Sequence, residues 1–93
     1  MTFKLEFYEA ALKEWNKLDP HIKQQFRAKL ITRLDNPRVP SAKIVGHQHR
    51  YKIKLRSLGF RLIYEVEDKK VLILVVAIGK RERNQVYVNA SKR

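Results

Sequence analysis

The eight residues Val71 to Ile78, VLILVVAI, constrain this chain's fold more than any other stretch. They are apolar without a break, so no alternation assigns one side to water, and a strand of this kind has to be covered on both faces. If helices pack on one face, something else must cover part of the other. The run is well short of the ~18–20 residues that cross a bilayer. The whole chain has 93 residues, room for a single domain over residues 1–93 whose core removes roughly 60–65% of the unfolded surface from water.

The remaining elements follow from periodicity. Residues 2 to 7, TFKLEF, alternate with Phe3, Leu5 and Phe7 on one side, which predicts a half-buried strand. From Glu9 to Leu18 the apolar positions Ala11, Leu12, Trp15 and Leu18 recur at helical spacing, and Asp19-Pro20 then offers an N-cap with proline at the first helical position. A second helix carries Ile22, Phe26, Leu30 and Leu34 at steps of four and stops at Asn36, because Pro37 disfavours helix before it. The two make a helical hairpin with one apolar face each. Residues 37–49, with two prolines and a glycine, read as a surface loop.

In RYKIKLR the period changes to two: Tyr51, Ile53 and Leu55 point inward, which sends Arg50, Lys52, Lys54 and Arg56 to the opposite face. A turn at Ser57-Leu58-Gly59 leads to Phe60, Leu62, Tyr64 and Val66 on the apolar side of a partner strand, so Arg61 and Ile63 share the face of Lys52 and Lys54. A second turn at Asp68-Lys69 opens into the apolar run. After it, Glu82 to Ala90 reads as a short terminal helix, against the β-branched Val86 and Val88. The expected class is α+β: an N-terminal strand, a helical hairpin packed on a mostly antiparallel four-stranded sheet, and a short C-terminal helix.

Charge narrows the range of partners. Lys and Arg number 21 against 9 Asp and Glu, a net charge of +12, which favours a polyanion, nucleic acid or an acidic protein. Between Asp35 and Glu65 there is no acid, while Arg38, Lys43, Arg50, Lys52, Lys54, Arg56 and Arg61 all fall there. An exposed strand face needs polar residues in any case, and lysine or arginine also discourages edge pairing. A merely solvated face, however, usually mixes signs, and phosphate binding requires one sign. Lys43, Arg50 and Arg56 are therefore expected to bind RNA phosphate, with Lys80 and Arg83 either doing the same or solvating the exit of the central strand. The absence of cysteine fits a reducing compartment, and the N-terminus MTFKLEFYEA lacks the sections of a signal peptide. The expected location is the cytoplasm.

His21, His47 and His49 have no acid or cysteine in the sequence to complete a metal site, and neither metal nor cofactor is expected. Glu65 and Glu67 face outward and are expected to pair with neighbouring cations. If such a chain cuts RNA through the adjacent 2′-hydroxyl, it needs a proton acceptor, stabilisation of the pentacovalent phosphate and a proton for the leaving 5′-oxygen. Arginine and lysine supply the second directly. A tyrosine or lysine becomes a usable base only if neighbouring cations lower its pKa.

YKIKLRSLGFRLIYEV followed by VLILVVAIGKRERNQVY, together with ALKEWNKLD and the DNPR closing the second helix, resembles the RelE toxins of bacterial toxin–antitoxin pairs over almost the full chain. The resemblance implies a RelE/ParE-like, microbial-RNase-like fold and a metal-independent mRNA interferase. Such a toxin enters the ribosomal A site, against 16S rRNA, cleaves the mRNA codon there and is neutralised by a RelB-like antitoxin. DNA would be met only through the antitoxin, and no membrane is involved. The matching positions are Lys52, Lys54, Arg61, Arg81 and Tyr87. Arg61 and Arg81 would stabilise the transition state, Arg81 also as proton donor; Lys52, Lys54 and Tyr87 would share proton acceptance, orientation and base stacking. Relatives often carry a basic residue where this chain has Val45, a lost rRNA contact for which His47 or His49 would compensate. A short terminal helix would loosen the segment holding Tyr87. Two other functions stay open: a ParE-like gyrase-directed toxin, which would share the fold without using this constellation, and a basic RNA-binding protein without chemistry.

Overall fold

A computed structural model describes residues 2–93, the side chain of Arg83 excepted. The chain runs β1 (Lys4–Phe7), α1 (Glu9–Asn16), α2 (Pro20–Asp35), β2 (Arg50–Leu55), β3 (Phe60–Glu67), β4 (Leu72–Lys80) and α3 (Gln85–Ser91), with single 3₁₀ turns between several of them. The sheet order is β1-β4-β3-β2. β1 lies parallel to β4, and the other two pairings are antiparallel. The architecture is the expected one, with the apolar run as β4 in the interior of the sheet.

β4 is covered twice. On one face Ile73, Val75 and Ile78 join Ala11, Ile22, Phe26 and Leu30 of the helical hairpin and Tyr51, Ile53, Leu55, Leu62, Tyr64 and Val66 of the neighbouring strands. On the other, Val76 and Ala77 join Ile63 of β3 and Val86 and Ala90 of α3. The short terminal helix thus supplies the second cover, burying Val86 and leaving Val88 41% exposed. The unbroken run has a further cause. Ile63 pairs with Ala77 but Tyr64 pairs with Val75, so Val76 is an extra residue, a β-bulge that reverses which face each later side chain takes. Gly79 consequently faces Arg61 and α3, and a Cβ built there would lie 3.7 Å from that of Val86. The chain does not turn at Gly79 itself. The strand continues through Lys80, and the reversal falls at Glu82–Asn84.

Some boundaries move for physical reasons. α1 ends at Asn16 rather than Leu18, and Asp19 sits at the N-cap of α2 without a side-chain capping bond. Its carbonyl instead accepts from the Ile22 and Lys23 N–H groups. Leu5 is 36% exposed although Phe3 and Phe7 pack on the core, because the β1 edge is only partly covered by the hairpin. The 37–49 loop is more ordered than expected, with a 3₁₀ turn at Pro40–Ala42 and a bridge from Lys43 to Tyr51.

Tyr64, fully buried, ties that loop to the sheet. Its hydroxyl donates to the Pro37 carbonyl at 2.6 Å and accepts from Arg33 Nη1 at 2.8 Å, and its ring stacks on Tyr51 at 5.7 Å. Burial pushes the Tyr64 phenol above its ordinary range, against the opposing pull of Arg33. Tyr64→Phe removes the shorter of the two bonds to the buried Pro37 carbonyl, which keeps the Val39 N–H at 3.2 Å, and takes an acceptor from the Arg33 guanidinium; we expect a loss of about 1–3 kcal/mol, read as a lower urea midpoint at unchanged slope.

Candidate ribonuclease site

The β2–β3 register places Lys54 opposite Arg61 and Lys52 opposite Ile63, and the β3–β4 register places Arg61 opposite Gly79. Directly paired residues project to one face, so Lys54, Arg61 and the bare backbone of Gly79 form a row across three strands. Gly59 adopts φ 71° and closes the turn after Arg56, a conformation glycine takes without a Cβ penalty. Its carbonyl accepts the Arg81 N–H at 2.8 Å, bringing the end of β4 to the β2–β3 turn. Asn84, at φ 56°, then turns the chain into α3, which carries Tyr87 back over the sheet.

Together these contacts enclose an open cavity of about 510 Å³ lined by Lys54, Arg56, Arg61, Arg81, Asn84 and Tyr87. Four of the six are cations, and none is an acid. Arg61 is only 5% exposed, and its one hydrogen bond among the described residues runs from Nη1 to the Phe60 carbonyl at 2.9 Å. A buried guanidinium without a carboxylate is expensive unless an anion arrives to meet it. Crowding by Lys52, then desolvation, then Arg56, Arg61 and Arg81, holds the Lys54 ammonium below the ordinary lysine value of 10.5. This is the cation-driven lowering that a lysine base requires.

Of the five residues expected to carry chemistry, Lys54, Arg61, Arg81 and Tyr87 are brought together in the cavity. Lys52 shares their face but lines an adjoining groove with Lys29, Arg33, Ser41, Lys54 and Arg56. The expected phosphate binders separate. Arg56 lines the cavity, although it belongs to the 3₁₀ turn Arg56–Leu58 rather than to the strand. Lys80 faces a different hollow, beside Glu14, Glu82, Gln85 and Asn89, and Lys43 borders another with Val45, Gly46 and His47. Arg50 departs furthest from the expectation: its Nε binds Glu65 at 3.0 Å and its Nη1 the Ala90 carbonyl at 2.7 Å, which occupies it within the protein. The side chain of Arg83 lies outside the described residues.

The central cationic stretch is also less one-signed in space than along the chain. Arg38 binds Asp68 at 2.6 Å, and this guanidinium holds the Asp68 carboxyl below its usual range. Glu65 neutralises Arg50, and Glu67 meets Lys70 at 3.8 Å. What remains one-signed is the cavity. Val45 is 96% exposed at the loop tip, and His49 is hydrogen-bonded to Arg38. Among the described residues no cluster of three metal-binding side chains occurs.

Asn84 is the site residue that periodicity missed. A polar residue just before a helix was the available signal; its left-handed backbone, which asparagine tolerates better than most residues, leaves its side chain at the cavity instead of capping α3.

The chain is similar to known proteins over nearly its whole length. Residues 5–85 match the family described as the ParE toxin of the type II toxin–antitoxin system parDE. An Escherichia coli protein described as a RelE-like toxin is 56% identical over 93 residues, covering 100% of this chain and 98% of its own. The mRNA interferase toxin RelE of E. coli K12 is 48% identical with the same coverage. Among solved structures, a mutant E. coli toxin RelE in the free state superposes with a TM-score of 0.92 at 46% identity, covering 100% of this chain and 98% of that one. The intact E. coli RelBE toxin–antitoxin complex gives 0.84 at 47% identity, over 87% of this chain and 99% of that one.

Proposed function

This chain belongs to the RelE family of type II toxins, and we propose from its cavity that it cuts mRNA held in the ribosomal A site, under the control of a RelB-like antitoxin. The observation that carries the reading is an open cavity with four cations and a tyrosine in its wall and no acid among its lining residues.

The reaction needs only these groups. The 2′-hydroxyl of the nucleotide before the scissile bond attacks the adjacent phosphorus and loses its proton; the 5′-oxygen departs and gains one. The products are a 2′,3′-cyclic phosphate and a 5′-hydroxyl. Lys54, made more acidic by its neighbours, is the proton acceptor in its neutral form. Arg61 and Arg81 neutralise the pentacovalent phosphate, and Arg81, exposed and lining the cavity, is assigned the second role of giving the departing 5′-oxygen its proton. Tyr87 orients the substrate by stacking on a base. The ribosome supplies the remaining preorganisation, holding the message in the strained geometry this small site cannot impose alone.

A pH profile tests the base. Neutral Lys54 is the active form, so the cutting rate rises with pH and levels off below the ordinary lysine value. Lys52→Ala removes the largest cause of the lowering, and the limb moves to higher pH. A profile unmoved by Lys52→Ala and retained in Lys54→Ala assigns the base elsewhere.

The matching family description is of a ParE toxin, which keeps open the second reading, a ParE-like toxin acting on DNA gyrase. Parallel assays separate the two: codon-specific cuts on programmed ribosomes with unaltered DNA supercoiling support the RNase, and the reverse pattern supports the ParE-like reading.

A further inference from the structure

α3 is the element of the site least able to hold itself. It has seven residues, where an isolated helix needs ~12–15 to be even marginal in water, and its own burial rests on Val86 and Ala90. Two arginines tie its C-terminal end to the rest of the fold, one by reaching the helix and one from the residues just after it. Arg50, with a side chain 12% exposed, spans from Glu65 to the Ala90 carbonyl. Arg93 donates to Glu14 of α1 at 2.7 Å and to the carbonyl of the bulged Val76 at 3.0 Å. Cations at this end also meet the negative pole of the helix, and Arg50 joins the Arg93 backbone N–H, at 3.0 Å, on the Ala90 carbonyl. Ala90 stands three residues after Tyr87, a spacing that makes the two neighbours on the helix surface, so movement that frees the Ala90 carbonyl also carries Tyr87 away from the cavity.

We propose that Arg50 is a positioning residue for Tyr87: by joining Glu65 to the Ala90 carbonyl it fixes α3 on the sheet with the Tyr87 ring in the cavity wall, and Arg93–Glu14 is a second tie at the same end. The inference rests on the role proposed above for Tyr87. It separates Arg50 from the phosphate-binding arginines, whose guanidiniums face the cavity. It also answers the expectation that a short terminal helix loosens Tyr87: the helix is short and tied.

The test uses single-turnover cutting on mRNA-programmed ribosomes across a range of full-chain toxin concentrations. Arg50→Gln lowers the rate at saturation by about 10-fold, as a small displacement of a positioned group does, and leaves the half-saturating concentration within about twofold. Arg50→Lys, which keeps a donor, restores part of the rate. In a Tyr87→Ala background Arg50→Gln costs less than about twofold more, because the group it positions is gone. Arg93→Gln follows the same pattern from the other tie and serves as the second probe if Arg50→Gln unfolds. A raised half-saturating concentration at unchanged saturating rate, or a fully additive loss in the Tyr87→Ala background, overturns the inference alone. Wild-type cutting by Tyr87→Ala itself overturns the role of Tyr87 and the inference with it.

Discussion

Arg81→Ala lowers the rate of mRNA cutting on programmed ribosomes by about 100- to 1,000-fold, the loss seen when one preorganised donor to a developing oxyanion is removed. The protein stays folded. The Arg81 side chain is exposed, and the contact that positions this segment is made by its backbone N–H to the Gly59 carbonyl, which alanine keeps; exposed substitutions of this kind usually shift stability by no more than ~0.5 kcal/mol. Arg81→Lys recovers only part of the rate, since a single ammonium replaces a planar fork matched to phosphate oxygens. Equal losses for lysine and alanine would point to a role for the guanidinium beyond charge, and an undiminished rate for alanine would remove Arg81 from the site.

Phe26→Ala has the largest expected effect on stability. Phe26 is fully buried on α2, in the cluster that joins the helical hairpin to the sheet. Truncating a buried phenylalanine costs about 3–5 kcal/mol, from lost transfer energy and the cavity left behind, out of the roughly 5–15 kcal/mol that holds a domain together. Equilibrium urea unfolding should show a midpoint lowered by about a fifth or more of its value. A shift of less than about 1 kcal/mol would mean that the hairpin collapses into the space, and that the apolar stripe is not the main attachment of α2.

Local patterning carried the architecture because it is a local property. The strict alternation in Arg50–Leu55 placed Lys52 and Lys54 on one face, and the glycine-bearing turn then brought Arg61 onto it, a relation the register reproduces. The steps of four in α2 located Ile22, Phe26 and Leu30 in the core. What the sequence could not display were consequences of chain segments meeting. The bulge at Val76 depends on how β3 pairs with β4, and it decides that Gly79 faces Arg61. Glu65 and Glu67 meet Arg50 and Lys70 as their outward-facing positions led one to expect, but Asp68 lies just past the acid-free stretch and only the folded sheet returns it to Arg38. Arg50 looked equivalent to Lys52 and Lys54 by periodicity; the arrival of the Ala90 carbonyl makes it different. Asn84 entered the site through one left-handed backbone angle that no periodicity encodes.

The chemistry itself can be interrogated at a single oxygen. On programmed ribosomes, an mRNA with one 2′-deoxynucleotide immediately before the scissile bond should remain intact with wild-type toxin, while the all-ribose message is cut to a fragment ending in a 2′,3′-cyclic phosphate. Cutting of the deoxy message at the same bond, or a product bearing a plain 3′-hydroxyl, would contradict attack by the 2′-hydroxyl and with it the assignment of Lys54, Arg61 and Arg81 to that reaction.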